Sequence, residues 1–373
     1  MDDRQGTVED MVVNPAFWRS RRVLVTGHRG FKGSWLCLWL QHLGAEVIGY
    51  SAGSPSSPCM FDLAGIDGGM TSVTGDIRDT EAVRDVFAAQ QPEVVIHMAA
   101  QPLVRRSYVD PVGTYAANVM GTVNMLDAVR QTDVVRVVIN VTTDKVYENR
   151  EWEWGYREDE PKGGRDPYSN SKACSELVTS GYRESFFGAD SGVVVATVRA
   201  GNVIGGGDWG EDRLIPDIMR AALNREELLI RNPDAVRPWQ HVLNPLSGYL
   251  ELAEAMWHSP ELADGWNFGP HERDARPVRW ILDRLSELWG EPVPWRHDGS
   301  SQPHEAMYLR LDSSKARVRL GWEPRWDLDQ ALANVVSWYK AFQAGDDLRD
   351  HSLRQIEEYA GAPVPGSDPV ESR

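Results

Sequence analysis

The sequence predicts an α/β protein whose core is a doubly wound parallel sheet. Short apolar runs alternate with segments of helix length along residues 21–200, which is typical of repeated strand–helix–strand units. The runs are nearly continuous in Val and Ile, which indicates strands buried on both faces. A glycine-rich turn joins the first run to the first helix, so we expect a Rossmann-like domain. The alternation stops after Arg199, where we expect a smaller, discontinuous substrate-binding domain.

Each element is predicted from a local pattern. Apolar runs of strand length predict strands, and longer periodic segments that end at glycine or polar clusters predict helices. The predicted strands of the first domain are 22–27, 46–50, 70–75, 93–98, 136–142 and 192–199. The helices predicted between them are 30–43, 80–90, 112–131 and 167–187. Further along the chain, the predicted helices are 214–223, 244–257, 278–289 and 328–344, with a short strand at 265–270 and an irregular segment at 228–240.

These elements predict a division of the chain into domains. Residues 1–20 are expected to be an extension ahead of the fold, and 21–200 the dinucleotide-binding domain. Segments near 236–268 are expected to return to that domain, while 201–345 is mainly the substrate-binding domain. Residues 346–373 are expected to be a polar, loosely ordered tail.

Composition excludes several functional classes. The formal net charge of −16 argues against a nucleic-acid surface, which requires a basic stripe. The three cysteines are scattered, so we expect reduced thiols in a cytoplasmic protein and no metal site. No apolar run is long enough to cross a bilayer, and the acidic N-terminus is unlike a signal peptide. We therefore expect neither nucleic acid nor membrane as a partner.

The glycine-rich turn predicts a dinucleotide site. Its glycines allow the backbone to approach a pyrophosphate, and the following helix start offers N–H donors. The residues predicted to bind the cofactor here are Gly27, His28, Arg29, Gly30, Phe31, Lys32 and Gly33. No acidic residue for the ribose ends the second strand, where residues 49–51 are Gly-Tyr-Ser, so NAD and NADP both stay open. Asp76, followed by Ile77, is a candidate adenine contact, and a helix cap is an equal alternative.

Two short segments carry the predicted chemistry. Tyr168 and Lys172 are four residues apart on one predicted helix and therefore share a face, where a cation favours the phenolate. Thr143, Asp144 and Lys145 follow the fifth strand, at the sheet edge where ligands bind. In a regular strand Asp144 and Lys145 would point to opposite faces, so the strand must end before them. Hydroxyl, carboxyl, amine and phenol together indicate proton and hydride transfer at an alcohol carbon.

The glycine turn, the Thr143-Asp144 pair and the Tyr-x-x-x-Lys segment, in this order, resemble the extended short-chain dehydrogenase/reductase family over about residues 21–345. The resemblance implies that Ala99 and Ala100 flank the cofactor and that Asn118 is structural. Within that family, the chain is similar to the branch that dehydrates CDP-glucose. The stretches that carry this similarity are 27–35, 143–147, 199–209 and 237–242.

The resemblance implies the conversion of CDP-D-glucose to CDP-4-keto-6-deoxy-D-glucose and water with catalytic NAD. Tyr168 would take the C4 hydroxyl proton, and Thr143 would bind the same oxygen. Asp144 would protonate the departing C6 hydroxyl, and Lys145 is our candidate for the base at C5, with Glu148 as an alternative.

A nucleotide-sugar pyrophosphate requires fixed cations and polar groups. The candidate substrate-binding residues are Gln101, Arg199, Asn202, Arg213 and Arg237. The resemblance places Arg237 at the pyrophosphate.

Three alternatives stay open at this point. The first is a dehydratase of a dTDP-, UDP- or GDP-sugar, and the second a nucleotide-sugar 4-epimerase or reductase. The third, a non-catalytic dinucleotide-sensing scaffold, has no need of Tyr168, Lys172 and Thr143. The resemblance also implies a homodimer built from the helices at 112–131 and 167–187.

Overall fold

The computed structural model describes residues 13–188, 190–299 and 309–362. Its strands are β1 Arg22–Thr26, β2 Glu46–Ser51, β3 Thr71–Thr74, β4 Val94–His97, β5 Val137–Val141, β6 Val194–Arg199, β7 Val203–Ile204, β8 Leu228–Ile230, β9 Val236–Pro238, β10 Gln240–His241, β11 Gly265–Asn267, β12 Ala275–Pro277 and β13 Trp295–His297. The six strands predicted for the first domain are all present, each within two residues of its predicted ends.

Seven strands form one parallel sheet in the order β3-β2-β1-β4-β5-β6-β11. The strand order reverses between β1 and β4, which opens a crevice at their carboxyl ends. This sheet confirms the predicted doubly wound α/β fold. The last strand, β11, comes from the second half of the chain and pairs with β6 at the sheet edge.

Helices cover both faces of the sheet. They are α1 Pro15–Trp18, α2 Phe31–His42, α3 Met60–Leu63, α4 Thr80–Gln90, α5 Val104–Val109, α6 Pro111–Tyr115, α7 Gly121–Arg130, α8 Pro167–Ser185, α9 Leu214–Asn224, α10 Leu243–His258, α11 Val278–Trp289, α12 Ser314–Leu320, α13 Leu328–Ala344 and α14 Leu348–Gly361. Along β1, Val23 and Val25 belong to one apolar core and Leu24 to the other. This alternation explains why the strand is apolar at every one of these positions.

The predicted helix 112–131 is interrupted. Between α6 and α7, residues Ala116–Met120 form a π-helical turn that contains Asn118. The Asn118 side chain accepts from Gln101 N at 2.8 Å and donates to Ser171 Oγ at 2.9 Å. The turn therefore directs an amide side chain into the space between β4 and α8, and this agrees with the structural role implied for Asn118.

The segment predicted as irregular, 228–240, contains β8, β9 and the start of β10. Each strand has two or three residues and pairs with one other short strand. Segments this short carry no detectable period, which is why the sequence pattern did not indicate them.

Both predicted flanking segments contain packed structure. Within the predicted extension, Trp18 is buried and its Nε1 donates to Glu254 Oε1 at 2.5 Å. Within the predicted tail, α14 buries Ile356 and Tyr359, so the expectation of loose order is wrong for 348–361. The rest of these predictions, at 1–12 and 363–373, lies outside the described residues. Among the described helices, none is long and apolar enough to cross a membrane.

Candidate active site

The glycine turn forms a tight cradle between β1 and α2. Gly27 has a left-handed φ of 73°, and a Cβ at this position would lie 2.8 Å from Ala99 N. Thr26 Oγ1 accepts from the amides of Met98 and Ala99 at 3.1 Å, which ties the ends of β1 and β4 together. Gly30 precedes the first residue of α2, so the helix start faces this cradle. A dinucleotide pyrophosphate fits such a site because Gly27, Gly30 and Gly33 carry no side chain and the helix start offers backbone N–H donors.

The end of β2 is filled by a histidine. A Cβ at Gly49 would overlap the His28 ring, whose Nε2 is 2.8 Å from Ser72 Oγ. Burial, and secondarily Arg29, lowers the pKa of His28 to about 4, so the ring is neutral near pH 7. The guanidinium of Arg29 lies 4.8 Å from the centre of the Phe61 ring. His28 and Arg29 therefore occupy the region where the acidic ribose ligand is missing.

The candidate adenine contact lies after β3. Asp76 forms an exposed ion pair with Arg78, and its backbone oxygen accepts from Tyr50 Oη at 2.9 Å. Ile77 is buried and packs against Gly121 at the start of α7. The adenine role of Asp76 and Ile77 stays a prediction.

The Thr-Asp-Lys segment is a short 3-10 turn. β5 ends at Val141, and the turn covers Asp144–Val146 with Thr143 as its cap. Asp144 Oδ1 accepts from Thr143 Oγ1 at 3.0 Å and from Lys145 Nζ at 3.4 Å. The strand thus ends before Asp144, as predicted, and the acid and the amine come together on one side.

The turn brings these groups against Tyr168 at the start of α8. Burial raises the pKa of Tyr168, while the Lys145 cation and a hydrogen bond with Thr143 act to lower it. Lys145 is therefore a cation that acts on Tyr168, and the same role expected for Lys172 stays a prediction. Lys172 Nζ donates to Val141 O at 3.0 Å, and burial, together with Lys32, lowers its pKa to about 8.

Two cations from distant parts of the chain join the site. Lys32 comes from the glycine turn, and its pKa is lowered to about 8 by burial and by Arg213. Arg213 Nη1 donates to both oxygens of Asp208 at 3.1 Å. Asp144 acts in the opposite direction on the pKa of Lys32, so these charged side chains are close enough to interact, and we call the space that they surround the cleft. Neither Asp208 nor the entry of Lys32 into this cleft was predicted; the Gly-Gly-Asp sequence at 206–208 was the available signal for the former.

Arg199 is not in the cleft. Its side chain is 3% exposed and forms an ion pair with Glu176 at 2.7 Å. A guanidinium that is already neutralised in the core cannot bind a pyrophosphate without breaking that pair. The predicted substrate contact by Arg199 is therefore contradicted by its burial. Glu176, which sequence reasoning missed, lies four residues after Lys172 and could have been found by helical spacing.

The other predicted contacts lie on loops around the crevice. Gln101 Nε2 donates to Thr114 Oγ1 at 2.9 Å, so this side chain is hydrogen-bonded to α6. Asn202 lies between β6 and β7, and its backbone oxygen accepts from Gln240 N at 3.3 Å. Arg237 lies on β9 and donates from Nη1 to Val236 O at 3.0 Å.

Three further cofactor-loop residues line the same crevice. Phe31 lies against Gly205, while Ala99 and Ala100 lie two and three residues after the end of β4 and are half-buried. Their contacts with a cofactor stay predictions.

Fold and site together define a dinucleotide-dependent enzyme with a Tyr-Lys pair and an acid–amine turn. Residues 23–261 match the model of the NAD dependent epimerase/dehydratase family. The chain is 52% identical over 356 residues to a CDP-glucose 4,6-dehydratase of Salmonella typhimurium, which covers 94% of this chain and 99% of the relative. It is 28% identical to a dTDP-glucose 4,6-dehydratase of Xanthomonas campestris, over 85% of this chain and 92% of that relative.

A solved structure of a nucleotide-sugar dehydratase has a similar fold. DesIV of Streptomyces venezuelae, a dTDP-glucose 4,6-dehydratase with NAD bound, has a TM-score of 0.75 and 25% identity, covering 87% of this chain and 99% of that one. The chain belongs to the NAD-dependent epimerase/dehydratase family, which confirms the resemblance to the extended short-chain dehydrogenases and the prediction of NAD.

Proposed function

We propose that this protein is a CDP-D-glucose 4,6-dehydratase that forms CDP-4-keto-6-deoxy-D-glucose and water. The observation that carries the proposal is the meeting of Asp144 and Lys145 at 3.4 Å beside Tyr168, which supplies an acid and a base for elimination next to a base for oxidation. The 52% identity to the Salmonella typhimurium dehydratase supports both the reaction and the choice of CDP.

The first chemical step is loss of the C4 hydroxyl proton. Tyr168, as phenolate, is the base, and Lys172, four residues further along α8, is the cation that favours the ionised form, so Lys145 can be neutral in the second step. Thr143 is hydrogen-bonded to Tyr168 and is thus positioned to bind the same substrate oxygen. The cradle at Gly27 would hold NAD, which would supply the hydride chemistry between C4 and C6 of the sugar.

The second step is elimination of water across C5 and C6. The new ketone at C4 acidifies the C5 proton, which Lys145 removes as a neutral amine. Asp144, in its protonated form, donates to the departing C6 hydroxyl. The alternative base, Glu148, has a side chain that is 60% exposed and lies 3.8 Å from Arg150, so it is less suited to abstract a proton from an enclosed sugar.

The pyrophosphate of the substrate requires cations near this set. Arg213 and Lys32 are in the cleft, and Arg237 on β9 is the third candidate. Arg213 is held by Asp208 on one side, which fixes the guanidinium for an incoming phosphate.

The direct test is incubation of the purified protein with CDP-, dTDP-, UDP- or GDP-glucose and NAD or NADP, followed by mass spectrometry. We expect a loss of one water from CDP-glucose with NAD. Loss from another nucleotide would keep the mechanism and change the substrate, and an isomerised sugar without loss of water would favour a 4-epimerase. Tyr168→Phe should abolish C4 oxidation, and normal turnover by this variant would contradict the role of Tyr168.

We also propose a cytoplasmic homodimer. Apolar side chains are exposed on α5, α6, the π-helical turn and α8, with exposures of 86% for Val109, 79% for Val112, 52% for Met120 and 62% for Leu177. Because α5 and α6 pack on α8, we propose that these side chains form one surface, and burial against a second copy would remove them from water. A nucleotide-sugar substrate and three free cysteines suit a reducing cytoplasm.

A further inference from the structure

We infer that the buried ion pair of Glu176 and Arg199 is a positioning unit. It fixes the turn that carries Asp144 and Lys145 relative to Tyr168 on α8. The inference rests on the proposed function, since it concerns the same dehydration site. Glu176 lies on α8 one helical turn after Lys172, and Arg199 ends β6. Arg199 Nε and Nη2 donate to the two carboxylate oxygens at 2.8 and 2.7 Å.

The carboxylate of Glu176 is bound to the residue that precedes the catalytic turn. Thr142 Oγ1 donates to Glu176 Oε1 at 2.5 Å, and Thr197 Oγ1 donates to Oε2 at 2.6 Å. Although burial acts to raise the pKa of Glu176, Arg199 and these hydroxyls hold it below its ordinary value. Glu176 is therefore ionised at neutral pH and fixes the position of Thr142 relative to α8.

The guanidinium of Arg199 is bound to the other end of the turn. Arg199 Nη1 donates to Tyr147 Oη at 2.6 Å, and the Tyr147 hydroxyl donates to Asn267 Oδ1 at 2.8 Å. The guanidinium also lies 5.2 Å from the centre of the Tyr147 ring. The same ion pair thus contacts Thr142 and Tyr147, the residues on either side of the catalytic turn in the sequence.

The surrounding backbone leaves room for a guanidinium in this place. A Cβ at Gly265 on β11 would lie 2.5 Å from Arg199 Nη2. The guanidinium makes four hydrogen bonds, to both carboxylate oxygens of Glu176, to Tyr147 Oη and to Glu158 O, and the ammonium of a lysine cannot reach the same partners in one plane. Because the pair contacts the turn through Thr142 and Tyr147, its loss should shift Asp144 and Lys145 relative to Tyr168. Such a shift should lower kcat far more than it raises KM.

The test uses variants that remove one connecting oxygen and leave the ion pair intact. Thr142→Val deletes the hydroxyl that joins the turn to Glu176, and Tyr147→Phe deletes the one that joins it to Arg199. For each we expect kcat for CDP-glucose to fall by about 10- to 100-fold, since a small misplacement of reacting groups has effects of this size. KM should stay within about twofold of the wild-type value.

Two matched controls report the cost of losing a buried hydroxyl elsewhere. Thr179→Val lies on the same helix, where its hydroxyl accepts from Asn140 Nδ2 at 2.8 Å, and Tyr359→Phe removes a hydroxyl 3.1 Å from Ser247 Oγ. We expect both to lower Tm about as much as the test variants while kcat stays at the wild-type level. If Thr142→Val and Tyr147→Phe keep wild-type kcat, or raise only KM, the positioning role is wrong.

A third variant separates charge from geometry. Arg199→Lys retains a cation beside Glu176 but loses the planar fork, so we expect Tm to recover relative to Arg199→Met while kcat stays low. Recovery of kcat together with Tm would overturn the inference, because it would show that only the charge is needed. The wild-type protein is assayed first: absence of dehydration there would contradict the proposed function itself, whereas an active wild-type enzyme with active variants contradicts the positioning role alone.

Discussion

Asp144 connects the residues proposed for the two chemical steps, oxidation at C4 and elimination of water. Asp144 Oδ1 is shared by Thr143 Oγ1 and Lys145 Nζ, so one oxygen links the residue that binds the C4 oxygen to the proposed C5 base. Spacing in the sequence was enough to predict which residues of this set meet. It could not predict that Lys145 also acts on Tyr168, because that depends on the 3-10 turn that follows β5.

Asp144 and Lys145 should be separable by experiment. We expect Asp144→Asn to reduce the bound cofactor at 340 nm but to eliminate water about 100-fold more slowly, because an amide is no proton donor of comparable strength. Lys145→Met should oxidise C4 and lose exchange of the C5 proton with deuterated solvent. The readouts are stopped-flow absorbance and mass spectrometry. Unchanged exchange in Lys145→Met would assign the base to another side chain.

The predicted contact of Arg199 with the pyrophosphate is wrong for a reason that the sequence could not reveal. Sequence reasoning placed it at the pyrophosphate because arginines near a crevice often bind phosphate. The decisive fact is a carboxylate on α8 that reaches β6, and only the packing of the helix on the sheet reveals this contact. Lys32 is a similar case, since its entry into the cleft depends on the path of α2.

At the scale of elements, long periodic segments were predictable and short ones were not. The strands of the central sheet and the helices α2, α4 and α8 follow from apolar runs and caps. The paired strands β8 and β13 have three residues each and are stabilised by their partners rather than by their own sequence. Helix α14 was missed because its polar surface outweighs the few apolar residues that it buries.

The contact between α1 and α10 should depend on pH. Burial raises the pKa of Glu254 from 4.5 to about 7, and its Oε1 accepts from Asn14 N and Trp18 Nε1. The folded state therefore keeps a proton that the unfolded chain loses above pH 4.5. The resulting stability is complete below pH 4.5 and is lost as the pH rises to 7, by at most about 3.5 kcal/mol at ~1.4 kcal/mol per pH unit.

Glu254→Gln lacks this titration and keeps an acceptor oxygen for both donors. We expect the variant to gain stability relative to the wild type between pH 4.5 and pH 8, as measured by urea unfolding at each pH. The exposed Glu261→Gln is the matched control and should show a constant difference. A constant difference for Glu254→Gln as well would show that its carboxyl titrates normally.

At the scale of the whole molecule, the exposed apolar surface on α5, α6 and α8 predicts the state of assembly. We expect Leu177→Glu to convert a dimer to a monomer, because a carboxylate in an apolar interface is costly to bury. Sedimentation velocity at several concentrations measures this. Val318→Glu, at a residue of α12 that is 84% exposed and lies outside this surface, is the control and should leave the mass unchanged. A monomeric wild-type protein would contradict the proposed interface.

The position of β11 has a consequence for synthesis of the protein on the ribosome. When the chain has been made as far as Arg199, the outer edge of β6 has no partner, because β11, which pairs with it, comes from residues 265–267. The sheet is completed only when roughly 70 further residues have left the exit tunnel, although domains usually fold as units during synthesis. Until then the nascent chain exposes the unpaired edge of β6, which can pair with another chain. The time for which this edge is exposed depends on how quickly residues 265–267 are translated and leave the tunnel.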